Sequence, residues 1–576
     1  MNGRRTGGIS DGALLVVAGA AGLAGAAVWL WGGVAGALFG HGWPQVSAGG
    51  VLRVLTHLPG TLGHPARAWP DGPRRLLPGA AGCYAALILL LGAIAAVVAA
   101  MARTEVGTAL ARRGRAGAHW ATSAELRPLR GRRLTRRHRP AGRLALGRHR
   151  GRLLCAEERH ALVAFGPPQS GKSAGLAVPA LLEWDGPAVA SSIKTDLLGA
   201  TLARRRTLGP VFVFDPFELS GSPANTWSPL RGAQTWDGAL EVAWRLAAAG
   251  ELDQRGVEGG DFWAIAAEQR LAPLLFTAAR AGLGMDAVVR WAYGQGSREL
   301  DETISQLIGG AHDEAELEGA HAAYDAVRAF EAQADRTRSS IEATAQGLLR
   351  AYRFARVLRS AQSSQIAPDE VLDQRATLYL IGDAKASKLL RPIFLALLSE
   401  LVDRAYERAT MAGGRLKLPL LLCLDEAGNV APLPNLAEIA STAPSHNIQL
   451  VSIFHDLAQA RSRYRQQAET VVNSHRARML LPGVADLDTL RYFSGLAGEE
   501  EITDTTRTTG GDGQTRTRGT RRRPLAAPEE LRQLPPGHAL LLYGRVAPVQ
   551  VRLRMWFADR RLRRLAAGED EHPEAT

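Results

Sequence analysis

Cysteine and lysine are scarce in this 576-residue chain, and each shortage narrows what the protein can be. The three cysteines, Cys83, Cys155 and Cys423, lie too far apart in sequence to build a disulfide framework or a metal cluster. A reducing compartment is therefore expected for the bulk of the chain. Five lysines stand beside 64 arginines, a bias that points to a GC-rich coding genome, so a lysine at a motif position stands out. Core material is not short. With 46% hydrophobic and 22% charged residues, wholesale disorder is excluded and the length suits two to four domains. The formal charge of +13 is not spread along the chain. Between Arg103 and Arg152 fifteen arginines face two acids, Glu105 and Glu125, while outside that block 54 bases balance 54 acids. A uniformly cationic protein is excluded, and a local anionic partner such as phospholipid or nucleic acid is expected.

Residues 13–39 and 79–101 contain no charged side chain, and each exceeds the roughly 20 residues a helix needs to cross a bilayer. The first run is too long for a signal peptide and a second follows, so residues 1–101 read as a two-span anchor. Residues 41–76 hold four arginines and Asp71, against fifteen arginines after the second span. The positive-inside rule then places both termini on the cytoplasmic side of the cell membrane, with a short external loop between the spans. Residues 102–155 become a basic juxtamembrane segment whose default role is to meet anionic lipids, with nucleic-acid contact as an added role.

The apolar run ALVAF precedes Gly166, Pro167, Pro168, Gln169, Ser170, Gly171, Lys172 and Ser173, and a second apolar segment follows. That is G-x-x-x-x-G-K-[ST] between a strand and a helix, the Walker A phosphate loop. Gly171 lets backbone N–H groups turn toward phosphate oxygens, Lys172 adds charge at the β- and γ-phosphates, and Ser173 offers a hydroxyl to Mg²⁺. The run LPLLLCL ends in Asp425 and Glu426, a Walker B pattern in which Asp425 holds Mg²⁺ through water and Glu426 polarises the attacking water. Together they describe a hydrolytic ATPase using ATP and Mg²⁺. An LSGGQ signature is missing, which argues against an ABC transporter.

Apolar strands at 187–193, 211–215, 376–382, 418–424, 448–454 and 477–481 alternate with helical stretches, implying an α/β fold with a parallel sheet. The interval 235–370 offers no comparable strand. Its helical spacings, such as Leu271, Leu274, Leu275 and Ala278, predict an all-helical subdomain inserted into an ATPase core of 156–234 and 371–558.

At this point the chain resembles the coupling proteins of type IV secretion and conjugation, the TraG/TraD type, and most closely actinobacterial versions. The resemblance runs from the first span to about residue 558. It rests on GPPQSGKS followed by VPALLEW, on SSIKTDLLGATLARRR, VFVFDPF and TWSPL, on LLCLDEAGNVAPLPNLAEIASTAPSHNIQLVSIFHDLAQ, and on RPLAAPEELRQLPPGHALLLYG. It implies a RecA-like P-loop NTPase core in a membrane-anchored homo-hexamer. Such a protein receives a relaxase with its attached single-stranded DNA and passes it to the type IV secretion channel, the inserted helices helping to recognise the substrate. Lys172, Ser173, Asp425 and Glu426 match the family's ATPase positions. Two departures stand out. Ser192, Ile193, Lys194, Thr195 and Asp196 replace the family's Asp-Pro-Lys-Gly-Glu. His455 stands where a γ-phosphate-sensing Gln is common; a neutral imidazole can still donate one hydrogen bond, which makes sensing depend on pH near neutrality, or else His455 is an ordinary strand-end residue.

Residues 505–523, rich in Gly, Thr and Arg, read as a mobile loop, with Arg521, Arg522 and Arg523 either solvated or placed to touch DNA or a neighbouring subunit's nucleotide. Arg336 and Arg338 are candidates for such contacts across subunits, or for intrahelical ion pairs. Residues 559–576 read as an acidic disordered tail. Two other functions remain open: a double-stranded DNA translocase, and an adaptor for protein effectors in which nucleotide gates assembly.

Overall fold

The computed structural model describes residues 11–101, 117–130, 143–158, 160–254, 260–430, 432–510 and 513–569. The chain divides into two compact units, Met1–Arg115 and Ala116–Thr576.

In the first unit, helices Asp11–Phe39 and Ala80–Met101 are each long and apolar enough to cross a membrane. They pack on each other: Trp31 donates its indole N–H to the Cys83 carbonyl at 2.6 Å, and Trp31 meets Trp69 edge to face at 5.8 Å. The connection between them is more than the short loop expected. Helix Ala48–His57 and several short turns fill it, burying Val54, Ala68 and Trp69 beside Trp31 and Ala35.

The second unit is built on an eleven-stranded sheet in the order β2-β1-β13-β12-β9-β3-β8-β7-β4-β6-β5. Its parallel part comprises β3 (Leu162–Phe165), β4 (Ala188–Ser192), β5 (Val211–Phe214), β6 (Thr377–Ile381), β7 (Leu420–Leu424), β8 (Ile448–Phe454) and β9 (Ala477–Leu480). Buried on both faces, β7 and β8 are nearly continuous apolar runs, as central parallel strands must be. Alternation then sorts the core. Val163, Phe165, Leu422 and Leu424 join one hydrophobic cluster, and Leu162, Ala164, Leu421 and Cys423 join the other.

Beyond β9 the sheet continues antiparallel through β12 (His538–Tyr543), β13 (Val546–Arg552), β1 (Ala145–His149) and β2 (Arg152–Cys155). This corrects the reading of 102–155 as a juxtamembrane segment. Its second half belongs to the sheet, with Leu144, Leu146 and Leu154 buried beneath the arginines. Arg103, the cluster Arg132, Arg133, Arg136 and Arg137, and their neighbours lie outside the described residues.

Between β5 and β6 no strand occurs among the described residues. Helices Trp236–Gln254, Gly260–Arg280, Met285–Ala292, Ser297–Gly309, Glu314–Glu331 and Asp335–Leu349 occupy the interval. Leu271, Leu274, Leu275 and Ala278 are all fully buried. The helices share their core with the long helix Ala384–Met411, to which Arg245 ties them through Asp403 at 2.9 Å.

Two further readings are corrected. Residues 505–523 are not a loop: β10 (Glu499–Gly510) and β11 (Gly513–Pro524) pair antiparallel as a ribbon, because backbone hydrogen bonds hold the register without an apolar face. The tail is not wholly irregular either. Asp559 caps helix Arg560–Ala566, whose Leu562 and Leu565 are buried three residues apart. Residues 570–576 lie outside the described residues.

Candidate nucleotide site

The phosphate loop Gly166–Ser173 leaves the carboxyl end of β3 and enters a helix whose first turn, Ser173–Ala177, is a π-turn before the α-helical Val178–Glu183. Pro179 has no N–H to return to Gly175, and the widened turn absorbs the missing bond. The loop's backbone is special at two points: Gly171 has φ +90° and Gln169 has φ +67°. At the far end of the helix, fully buried Arg205 donates to the carbonyls of Trp184 and, at 2.7 Å, Gly186, and to Thr377 Oγ1 at 2.6 Å.

The carboxyl end of β7 delivers Asp425 and Glu426, and that of the neighbouring β8 delivers His455. Lys172, Asp425 and Glu426 are all buried. Lys172 Nζ donates to Glu426 Oε1 and lies 3.4 Å from His455 Nε2. His455 Nε2 is 2.7 Å from Glu426 Oε2, which also accepts from Asn429 Nδ2 at 2.9 Å. Ser173 Oγ donates to Asp425 Oδ2 at 2.5 Å. Five residues singled out from the sequence, Lys172, Ser173, Asp425, Glu426 and His455, thus meet in one cluster. Glu426 holds φ +65°, an uncommon conformation for a side-chain-bearing residue and a local strain at the centre of the site.

Burial works against the charged form of Glu426, but hydrogen bonds from His455 and Lys172, with their charges, bring its pKa down to about 2. Burial prevails at Asp425, whose pKa is raised although Ser173 and Lys172 pull the other way. Asp425 Oδ1 and Ser170 Oγ are buried without a hydrogen-bond partner. The orphaned Asp425 Oδ1, with the Ser173 hydroxyl on the same carboxylate, is the donor set a hard cation takes. The loop also folds tightly on itself, since a Cβ at Gly166 would come within 2.4 Å of Ser170 Oγ. The residues therefore fit Mg²⁺ and a phosphate chain.

Sequence reasoning missed the second layer. Gln459 accepts the His455 backbone N–H at 2.7 Å, and Arg463 Nε donates to the Gly428 carbonyl at 2.8 Å. Asn429, three residues after Glu426, could have been found from spacing. Lys194 is exposed just past β4, and Asp196 opens helix Asp196–Leu208. Arg338 pairs with Asp335 at 2.5 Å within its helix, and Arg336 is exposed on the same helix. Arg523 pairs with Glu500 at 2.7 Å and Arg522 with Glu501 at 3.3 Å across the ribbon.

A parallel sheet with a phosphate loop on one strand and an Asp-Glu pair closing a strand two places away defines a P-loop NTPase. The family model described as Type IV secretory system Conjugative DNA transfer matches residues 126–575, and the chain belongs to that family. The conjugal transfer protein TraG of Escherichia coli is 25% identical over 408 residues, covering 65% of this chain and 61% of TraG. The chain thus spans about three fifths of that relative's length. TraG of Agrobacterium fabrum is 24% identical over 220 residues, 36% of this chain and 33% of that protein. The bacterial conjugative coupling protein TrwBdeltaN70, in its unbound monoclinic form, superposes with a TM-score of 0.57 at 17% identity, covering 76% of this chain and 93% of that one. The plasmid coupling protein TrwB in complex with ADP and Mg²⁺ superposes with a TM-score of 0.53 at 17% identity, covering 76% and 94%. At such identities the likeness is one of fold.

Proposed function

We propose that this protein is a membrane-anchored coupling ATPase of conjugative DNA transfer. In this reading it recruits a relaxase bearing single-stranded DNA and uses ATP hydrolysis to feed it into a type IV secretion channel, working as a homo-hexamer. The observation that carries the reading is the convergence of Lys172, Ser173, Asp425 and Glu426 at the phosphate loop of a chain from a conjugative transfer family. Solved complexes of TrwB with a non-hydrolysable ATP analogue and with ADP and Mg²⁺ support ATP and Mg²⁺ as the ligands. The two long apolar helices support anchoring, and the arginines that follow them before β1 suit an anionic lipid surface.

The chemistry follows from the residues present. Lys172 leaves Glu426 for the β- and γ-phosphate oxygens. Glu426, freed of that partner, accepts the proton of the attacking water, and Asn429 keeps its carboxylate oriented. His455 stands within reach of Glu426 and Lys172, where its ring can hold the water or sense the phosphate. Ser173 and Asp425 would hold Mg²⁺, whose chemistry is to neutralise phosphate charge.

The test is ATP hydrolysis by the full chain in detergent with single-stranded DNA, double-stranded DNA and no DNA. Single-stranded DNA should stimulate the rate most, Lys172→Ala should abolish it, and His455→Gln should keep activity that His455→Ala loses. Equal rates with and without DNA would overturn the translocase reading in favour of an effector adaptor. Full activity in His455→Ala would remove the sensor role.

A further inference from the structure

The nucleotide site has a direction. Asp425, Glu426 and His455 stand at the ends of β7 and β8, on one side of β3 in the sheet. The terminal phosphate belongs on that side, so the nucleoside leaves the loop on the other, toward β9, β12 and β13. The segment waiting there is Leu553–Phe557, which follows β13.

It is fastened to the phosphate loop. The Trp556 backbone N–H donates to the Ala174 carbonyl at 3.0 Å, one residue past Ser173. A Cβ on Gly171 would come within 2.6 Å of Met555 Cε, and one on Gly175 within 3.3 Å of Met555 Sδ, so the thioether lies against the loop itself. Arg554 pins the segment from behind, donating to both Glu183 oxygens at 2.9 and 2.8 Å and to Asp559 at 2.9 Å. Trp556 packs partly buried on the core, and the Phe557 ring meets it edge to face at 6.1 Å. Phe557 remains 56% exposed. A large exposed ring, braced by a tryptophan and two residues along the chain from the methionine on the phosphate loop, suits a flat apolar ligand.

We propose that Met555, Trp556 and Phe557 form the nucleobase platform of this protein, with the Phe557 ring stacking on the purine of the bound nucleoside triphosphate. The proposal rests on the phosphate-loop reading above. Stacking on a ring and a thioether reads no donors or acceptors, so adenine and guanine are accepted alike, and the smaller pyrimidines gain less overlap.

The experiment is competitive binding to the full chain in detergent with Mg²⁺, comparing ATP, GTP, CTP and inorganic tripolyphosphate. Removing a stacked ring corresponds to a loss of about tenfold. Phe557→Ala should weaken ATP and GTP by about that factor and leave tripolyphosphate unchanged; Phe557→Tyr should restore both. An unchanged ratio of ATP to tripolyphosphate affinity in Phe557→Ala would overturn the platform, and a change of assembly state with that ratio intact would assign the ring to a subunit contact instead. Failure of tripolyphosphate to bind the unmodified protein, or its undiminished binding to Lys172→Ala, would overturn the phosphate-loop reading and the platform with it.

Discussion

Replacing Glu426 by Gln keeps the side chain's size and removes its charge. That carboxylate, 4% exposed, accepts hydrogen bonds from Lys172 and Asn429 and contacts His455. Its pKa lies at about 2 instead of the usual 4.5. A fall of that size corresponds to about 3 kcal/mol of stabilisation of the charged form. Because the folded value is the lower one, this contribution is complete above about pH 4.5 and is lost as the pH falls toward 2. In the proposed site a triphosphate takes the same lysine, so binding breaks the Lys172–Glu426 pair. Part of the 3 kcal/mol therefore opposes nucleotide binding. Glu426→Gln should lose about 1–3 kcal/mol of ligand-free stability and bind ATP about tenfold more tightly. Hydrolysis should drop by about 10²–10⁴, the usual contribution of a positioned base. Chemical denaturation with and without ATP, ATP titration and steady-state turnover measure the three effects. Equal ATP affinity in the two proteins would show that the ion pair does not compete with phosphate, and turnover within tenfold would remove Glu426 as the base.

Arg554→Met should cost about 1–3 kcal/mol, because Glu183, whose side chain is 3% exposed, loses two hydrogen bonds from one guanidinium nitrogen while keeping Arg561 at 3.1 Å. The double variant with Glu183→Leu should recover most of that loss in denaturant titrations; equal losses would mean the pair is not the source. His475 is fully buried between the Val471 carbonyl and Ser452 Oγ, and burial pushes its pKa down to about 4. The unfolded chain takes up that proton below about pH 6.5 and the folded one does not, so stability should fall by about 3 kcal/mol between pH 6.5 and 4. His475→Gln should flatten that part of the pH profile, and an unchanged slope would refute the assignment.

What was legible in the sequence was what is contiguous there. The phosphate loop and the Asp425–Glu426 pair each lie in one short stretch, bounded by an apolar run that can only be a buried strand. Strands β1 and β2 were hidden because Arg143, Arg148, Arg150 and Arg152 dominate the composition while the buried side chains, Leu144, Leu146, Leu154 and Cys155, are few and scattered. The helix after Asp559 was masked by the acids beyond it, although Leu562 and Leu565 carried the helical spacing. Met555 gave no signal at all. Its place against Gly171 follows from a sheet that brings together residues almost four hundred positions apart, and local pattern does not encode that pairing.

The β10–β11 ribbon pairs only with itself along most of its length among the described residues, so both strands run with backbone groups open at their outer edges. An open ladder invites another chain to add to it. Between Thr503 and Thr520 this ribbon has no apolar residue, and Arg507 is registered opposite Arg516. A second copy brought alongside that stretch would gain no apolar burial. The composition that disguises these strands as a loop therefore also leaves a neighbouring ribbon little to gain by adding to their open edges.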